Sequence, residues 1–497
     1  MSLAIVHSRA QVGVEAPCVS VEAHLANGLP SLTLVGLPET AVRESKDRVR
    51  SALLNAGFDF PARRITLNLA PADLPKDSGR FDLAIALGIL AASGQLPGTA
   101  LDGLECLGEL ALSGAIRPVR GVLPAALAAR DARRVLVVPK ENAEEASLAS
   151  GLTVFAVDHL LEIAGHLSGQ APLPPYQARG LLRAPFPYPD LAEVQGQAAA
   201  KRALLVAAAG AHNLLLSGPP GTGKTLLASR LPGLLPALDE DEALEVAAIH
   251  SVASHVPLRH WPQRPFRQPH HSASAPALVG GGSRPQPGEI TLAHQGVLFL
   301  DELPEFERKV LEVLREPLES GEIVIARANG RVRFPARFQL VAAMNPCPCG
   351  YLGDPSGRCR CTPEQVQRYR GKLSGPLLDR IDLHVSVLRE STSLQPGHGE
   401  TATAEVSERV GAARQRQLAR QGCANAHLDL QAMHRNCALA EADRRWLEAA
   451  GERLELSLRA LHRILKVART LADLERIDAI ERRHLAEALQ YRAMTST

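Results

Sequence analysis

Residues 218–225 place glycines, one lysine and one hydroxyl at the spacing that wraps a phosphate chain. In Gly218, Pro219, Pro220, Gly221, Thr222 and Gly223, the glycines let successive N–H groups and the start of the next helix point at phosphate oxygens. Lys224 is placed to neutralise the β- and γ-phosphates, and the Thr225 hydroxyl to complete a Mg²⁺ shell. The loop lies between an apolar strand at 213–217 and a helical stretch, which sets it apart from a plain glycine-rich turn. A second element should be an acidic pair closing a buried strand, and Asp301 and Glu302 follow the apolar run Val297–Leu300. Asp301 suits a Mg²⁺ held through water, and Glu302 an attacking water oriented and polarised. A helix cap would explain one carboxylate at this strand end, but not two. These residues alone call for ATP, Mg²⁺ and hydrolysis.

Two further patterns carry chemistry. Cys347 and Cys349, then Cys359 and Cys361, form two C-x-C pairs nine residues apart, with Gly, Asp and Pro between them. Four converging thiolates suit tetrahedral Zn²⁺; an iron–sulfur cluster or unligated thiols are the competing readings. Residues 322–334 read as two short strands around Asn329-Gly330, the strongest short hairpin signal. Its arginines suit a solvated, charge-protected sheet edge as well as a grip on phosphates.

The elements that must hold these groups fall into five stretches. Residues 1–165 mix strands (Ser31–Val35, 64–69, 135–138) with helices (40–56, Asp82–Ala92, 123–129) and read as one α+β domain. Residues 166–189 form a proline-rich linker. Residues 190–390 alternate helix and strand, with a helix at 194–209 and strands at 213–217, Val297–Leu300, 338–344 and 381–387; this predicts a mostly parallel sheet with helices on both faces. Residues 391–424 are a polar connector with some helix. Residues 425–497 are helical, with Leu458, Leu461, Ile464, Leu465 and Ala468 at helical spacing.

Composition bounds the rest. At 497 residues, 45% hydrophobic and 22% charged, the chain reads as a multi-domain globular protein rather than a disordered one. The run 83–93 is too short to span a bilayer and the first residues lack a secretion signal, so a cytoplasmic protein with no membrane partner is expected. A net charge of +2 leaves nucleic-acid binding to local basic clusters, and 3% aromatics disfavours binding by base stacking. Eight cysteines in so long a chain do not make a disulfide scaffold.

The chain resembles the AAA+ superfamily, in its magnesium-chelatase-like branch, and most closely the bacterial ComM/YifB family. The stretches that carry the resemblance are Arg264-Pro265-Phe266-Arg267-Gln268-Pro269-His270-His271-Ser272, Gly280-Gly281-Gly282, Pro287-Gly288-Glu289-Ile290 and 296–306. The resemblance implies an α/β AAA+ P-loop module with a helical C-terminal lid, hexameric rings, and DNA helicase action in branch migration during natural transformation. It implies single-stranded or branched DNA and recombination proteins as partners. Asn345 looks like the sensor of the γ-phosphate, and Arg380 like the arginine finger reaching a neighbouring subunit's ATP. Arg459, after Ser457-Leu458, resembles the lid sensor and would lie near the nucleotide. In related helicases a hairpin at this place enters the central pore, where Arg327, Arg331 and Arg333 would grip phosphates without reading sequence. Residues 75–80 and 108–121 resemble the Lon protease domain. Arg80 stands at its serine position and Leu123 at its lysine position, so this first domain is expected to be catalytically inactive. A chelatase-like motor remodelling a protein partner is the alternative, weakened by the lack of a porphyrin-binding segment or metal-ion-dependent adhesion motif. An ATP-dependent protease is disfavoured by Arg80 and Leu123.

Overall fold

The computed structural model describes residues 3–36, 44–76, 78–178, 188–253, 261–282, 285–327, 330–355, 357–389 and 402–493. A seven-stranded mixed sheet occupies the N-terminal part, in the order Ser31–Val35, Arg64–Ala70, Cys18–Ala26, Leu3–Arg9, Leu104–Cys106, Val135–Pro139, Val154–Val157. Alternation sets its inner face: Val19, Val21, Ala23 and Leu25 are buried along one strand, and the wholly buried helix Asp82–Ala92 packs over them.

A second sheet has five parallel strands, ordered Phe266–Arg267, Val297–Leu300, Gln339–Met344, Leu214–Ser217, Leu383–Ser386. Its central strands Val297–Leu300 and Gln339–Met344 are apolar apart from Gln339, because both faces are covered. One face packs on the helices Ala198–Gly210 and Lys224–Leu234 together with C-terminal helices, among them Leu458–Leu474 and Arg482–Ala493. The other face packs on Leu303, Phe306, Leu314 and the hairpin residues Ile323, Ile325 and Phe334.

Three details differ from the sequence expectation. The helix expected at 194–209 starts at Ala198, because Gly196 and Gln197 adopt positive φ (61° and 54°) after a short 3-10 turn, Leu191–Glu193. Residues 403–421 form a 19-residue helix; its Val406, Val410, Ala413 and Gln417 recur at helical spacing and are buried, a narrow stripe lost among charged residues. The hairpin is present as Glu322–Arg327 paired with Gly330–Pro335, but Gly330 stands opposite Arg327 in the ladder. Gly330 of the Asn-Gly pair therefore belongs to the second strand, and residues 328 and 329 lie outside the described residues.

The N-terminal part is docked on the module that contains the five-stranded sheet. The Gly121 N–H donates to the Ser251 carbonyl (2.9 Å) and the Leu123 N–H to the Ser251 hydroxyl (3.3 Å), while Leu123 packs with Leu244 and Ala247 of the helix Glu240–Ala253. The turn Val12–Glu15 meets the hairpin: a Cβ on Gly13 would lie 2.7 Å from a Val332 methyl carbon and 3.1 Å from the Arg333 carbonyl.

Candidate functional site

The phosphate loop joins the strand Leu214–Ser217 to the helix Lys224–Leu234, and Gly221 and Gly223 hold the positive φ values (76° and 85°) that turn it. Lys224 is buried and folds back on its own loop, donating to the Gly218 carbonyl (2.7 Å), the Pro219 carbonyl (2.8 Å) and Asn345 Oδ1 (3.3 Å). Burial holds its ammonium below the usual lysine range, while Asp301 and Glu302 act against that shift. Thr225 Oγ1 donates to Asp301 Oδ2 at 2.7 Å, so the two groups expected to share a Mg²⁺ shell already meet. Parallel pairing of the strands Val297–Leu300, Gln339–Met344 and Leu214–Ser217 brings Asp301 and Asn345 to the same end of the sheet as Lys224.

Glu302 stands in the left-handed region (φ 52°), its N–H bonded to Asp301 Oδ1 (2.9 Å). Its carboxylate lies 3.1 Å from His271 Nδ1, and the His271 ring meets Phe306 edge-on. His271 joins the site through folding alone. It lies 31 positions before Glu302, in a loop after the edge strand Phe266–Arg267, and in the sequence it was marked only as part of the stretch Arg264 to Ser272 that carries the family resemblance.

Arg380 and Arg459 are brought together. With Arg463, Lys466, His462, Glu319 and Asp379 they line a cavity of about 200 Å³, whose described lining includes no residue of this chain's phosphate loop. Arg380 donates to the Pro376 carbonyl (2.7 Å) and pairs with Glu319; Arg459 is exposed, in the first turn of a helix capped by Ser457.

The four cysteines converge. All four sulfurs lie within 4.8 Å of one another, with Cys347 3.4 Å from Cys349 and 3.8 Å from Cys359, and Cys349 3.6 Å from Cys359. Tetrahedral metal–sulfur bonds of ~2.3 Å require sulfur–sulfur edges of about 3.8 Å, so the donor set fits a single zinc-like ion. An iron–sulfur cluster needs its thiolates spread around several irons, wider than this. Main-chain N–H groups of Tyr351 and Arg360 hydrogen-bond the Cys349 thiolate and bring its pKa down to about 6.

On the hairpin, Arg331 and Arg333 are exposed on one face with Val324 and Ala326, while Val332 and Phe334 turn to the core side. The Arg327 side chain lies outside the described residues. In the first domain, Arg80 is buried and donates to the carbonyls of Arg9 and Arg120. The Lys76 ammonium is committed to the Pro71 and Leu74 carbonyls.

A parallel sheet in this strand order, with phosphate loop, acidic pair and Asn345 at one end, defines a P-loop ATPase module of the AAA+ class. The family described as "Magnesium chelatase, subunit ChlI" matches residues 190–394, its C-terminal part matches 400–492, and "Subunit ChlI of Mg-chelatase" matches 21–142. Competence protein ComM of Haemophilus influenzae is 55% identical over 510 residues, covering 99% of this chain and 98% of the relative. YifB of Escherichia coli is 52% identical over 501 residues, with the same shares. The 38 kDa magnesium-chelatase subunit of Cereibacter sphaeroides is 27% identical over 227 residues, 41% of this chain and 60% of the relative. The chain belongs to the ComM/YifB family of magnesium-chelatase-like AAA+ proteins. No helix among the described residues is long and apolar enough to cross a membrane.

Proposed function

We propose that this chain is a ring-forming, ATP-driven DNA translocase or helicase that promotes branch migration, as in natural transformation. The observation that carries the motor is the Thr225–Asp301 contact at 2.7 Å beside Lys224, and the one that carries the DNA reading is the pair Arg331 and Arg333 on one exposed face of the hairpin. Residues 218–225 hold the triphosphate, with Thr225 and Asp301 toward Mg²⁺, whose part is to neutralise phosphate charge. Lys224 exchanges its carbonyl partners for phosphate oxygens. Glu302 orients the attacking water, and Asn345 contacts the γ-phosphate end of the same site. Arg380 and Arg459 belong to the cavity away from this chain's own phosphate loop, which supports both of them reaching a neighbouring subunit's nucleotide. A ring of such sites makes hydrolysis sequential around the subunits, and each hairpin follows the strand that its arginines hold.

The relative's name, competence protein, supports the role in DNA uptake. The partial likeness to a chelatase subunit supports the second reading, a motor acting on a protein partner.

Substituting alanine at Arg327, Arg331 and Arg333 together tests the DNA contact. Each lost phosphate contact lowers the slope of log affinity against log salt by ~0.7–0.9, so the expected flattening is about two units, with basal ATP hydrolysis retained. An unchanged slope in a salt titration of single-stranded DNA binding returns the hairpin to a scaffold role.

A further inference from the structure

The loop from Asn345 to Thr362 contains no regular helix or strand among its described residues, yet it forms one wall of the nucleotide site. Asn345, which accepts from Lys224, is two residues from Cys347. Gly350 lies against the phosphate loop: at φ 83°, a Cβ there would stand 2.8 Å from Pro220 Cδ and 3.7 Å from Asn345 Cγ. Gly218 and Pro219, with Pro346 and the stretch Leu352 to Pro355, bound one cavity of about 550 Å³. Arg370 reaches the Pro346 carbonyl (3.4 Å), and the Asn345 N–H meets the Tyr369 hydroxyl. The Arg358 guanidinium lies over the Tyr351 ring (4.4 Å), a contact within the loop. Four sulfurs at tetrahedral spacing are a feature able to fix this stretch.

We propose that one thiophilic divalent cation of the zinc class, held by Cys347, Cys349, Cys359 and Cys361, pins the loop against Pro220 and Asn345 and so keeps the phosphate site competent for hydrolysis. The inference rests on the ATPase reading above. It makes the cysteine centre a determinant of turnover, lying outside the residues that touch phosphate. Releasing the cation frees the loop, and Asn345 loses its fixed position relative to Lys224. Binding of ATP, carried mainly by the loop N–H groups and Lys224, changes less than its hydrolysis.

The experiment uses the full-length chain purified without added metal. Elemental analysis is expected to find about one zinc per chain in the unaltered protein and less than a tenth of that in Cys359→Ser/Cys361→Ser. In that variant the affinity for a fluorescent ATP analogue is expected to change less than threefold, while turnover falls at least tenfold. A second variant, Gly350→Val, keeps all four sulfurs but forces the loop away from Pro220. It is expected to retain the metal and to show the same loss of turnover, and it reads the coupling even if the double variant fails to fold. A metal-free wild-type chain, or a metal-free variant with wild-type turnover, overturns the proposal. Turnover in the wild type no greater than in Lys224→Ala removes the ATPase reading and the coupling with it. Full wild-type turnover that is indifferent to metal removes the coupling alone.

Discussion

Glu302→Gln is expected to bind ATP within about threefold of the unaltered chain and to hydrolyse it some 10²–10⁴-fold more slowly, the usual range for loss of a positioned general base. The strand Val297–Leu300 is wholly buried and fixes Asp301 against Thr225 (2.7 Å), while the left-handed backbone at Glu302 turns the next carboxylate away from that contact. On the proposed reading one carboxylate serves the cation shell, and the other, which lies against His271, is the one that turns to water. The amide keeps the shape and removes the base, so binding survives while the proton has no acceptor. A phosphate-release assay beside a filter-binding titration separates the two. Wild-type turnover in the variant would remove Glu302 from its role and leave its contact with His271 (3.1 Å) structural.

Arg380→Ala is expected to cost 10³–10⁵ in turnover, the range measured for arginine fingers. The more telling result comes from mixing. If Arg380 serves the next subunit, an Arg380→Ala chain and a Lys224→Ala chain are each inactive alone, and together they regain part of the activity, because some interfaces pair an intact loop with an intact finger. The cavity that Arg380 shares with Arg459, Arg463 and Lys466 has four cations against the carboxylates of Glu319 and Asp379, an excess suited to a phosphate brought from outside. Because Arg380 also pairs with Glu319 and the Pro376 carbonyl, a melting curve should accompany the assay. A mixture that stays inactive while both chains remain folded contradicts action between subunits.

The site was legible in proportion to how local its chemistry is. Residues 218–225 and the pair 301–302 are contiguous, and their strand contexts follow from apolar runs, so their meeting could be read before any coordinates. The cysteines were legible because two close pairs can converge with little chain between them. His271 was not assigned a role because its contact with Glu302 depends on how the loop after Phe266–Arg267 crosses the sheet end, which no periodicity encodes. That Arg459 shares a cavity with Arg380 was not legible, because it is an outcome of helix packing rather than of motif. The helix 403–421 was only partly visible because its buried stripe is narrow, and tertiary packing against Ala198–Gly210 supplies what composition hides. The docking of the first domain through Gly13, Gly121 and Leu123 left no sequence signal, since single small residues at turns acquire meaning only from what approaches them.

The most direct measurement is the steady-state rate of ATP hydrolysis with and without a branched DNA substrate at one moderate salt concentration, with Lys224→Ala as the blank. A DNA-moving motor predicts hydrolysis well above the blank and stimulated severalfold or more by the branched DNA. Robust hydrolysis that the DNA leaves unchanged would contradict the translocase and turn the motor toward a protein client.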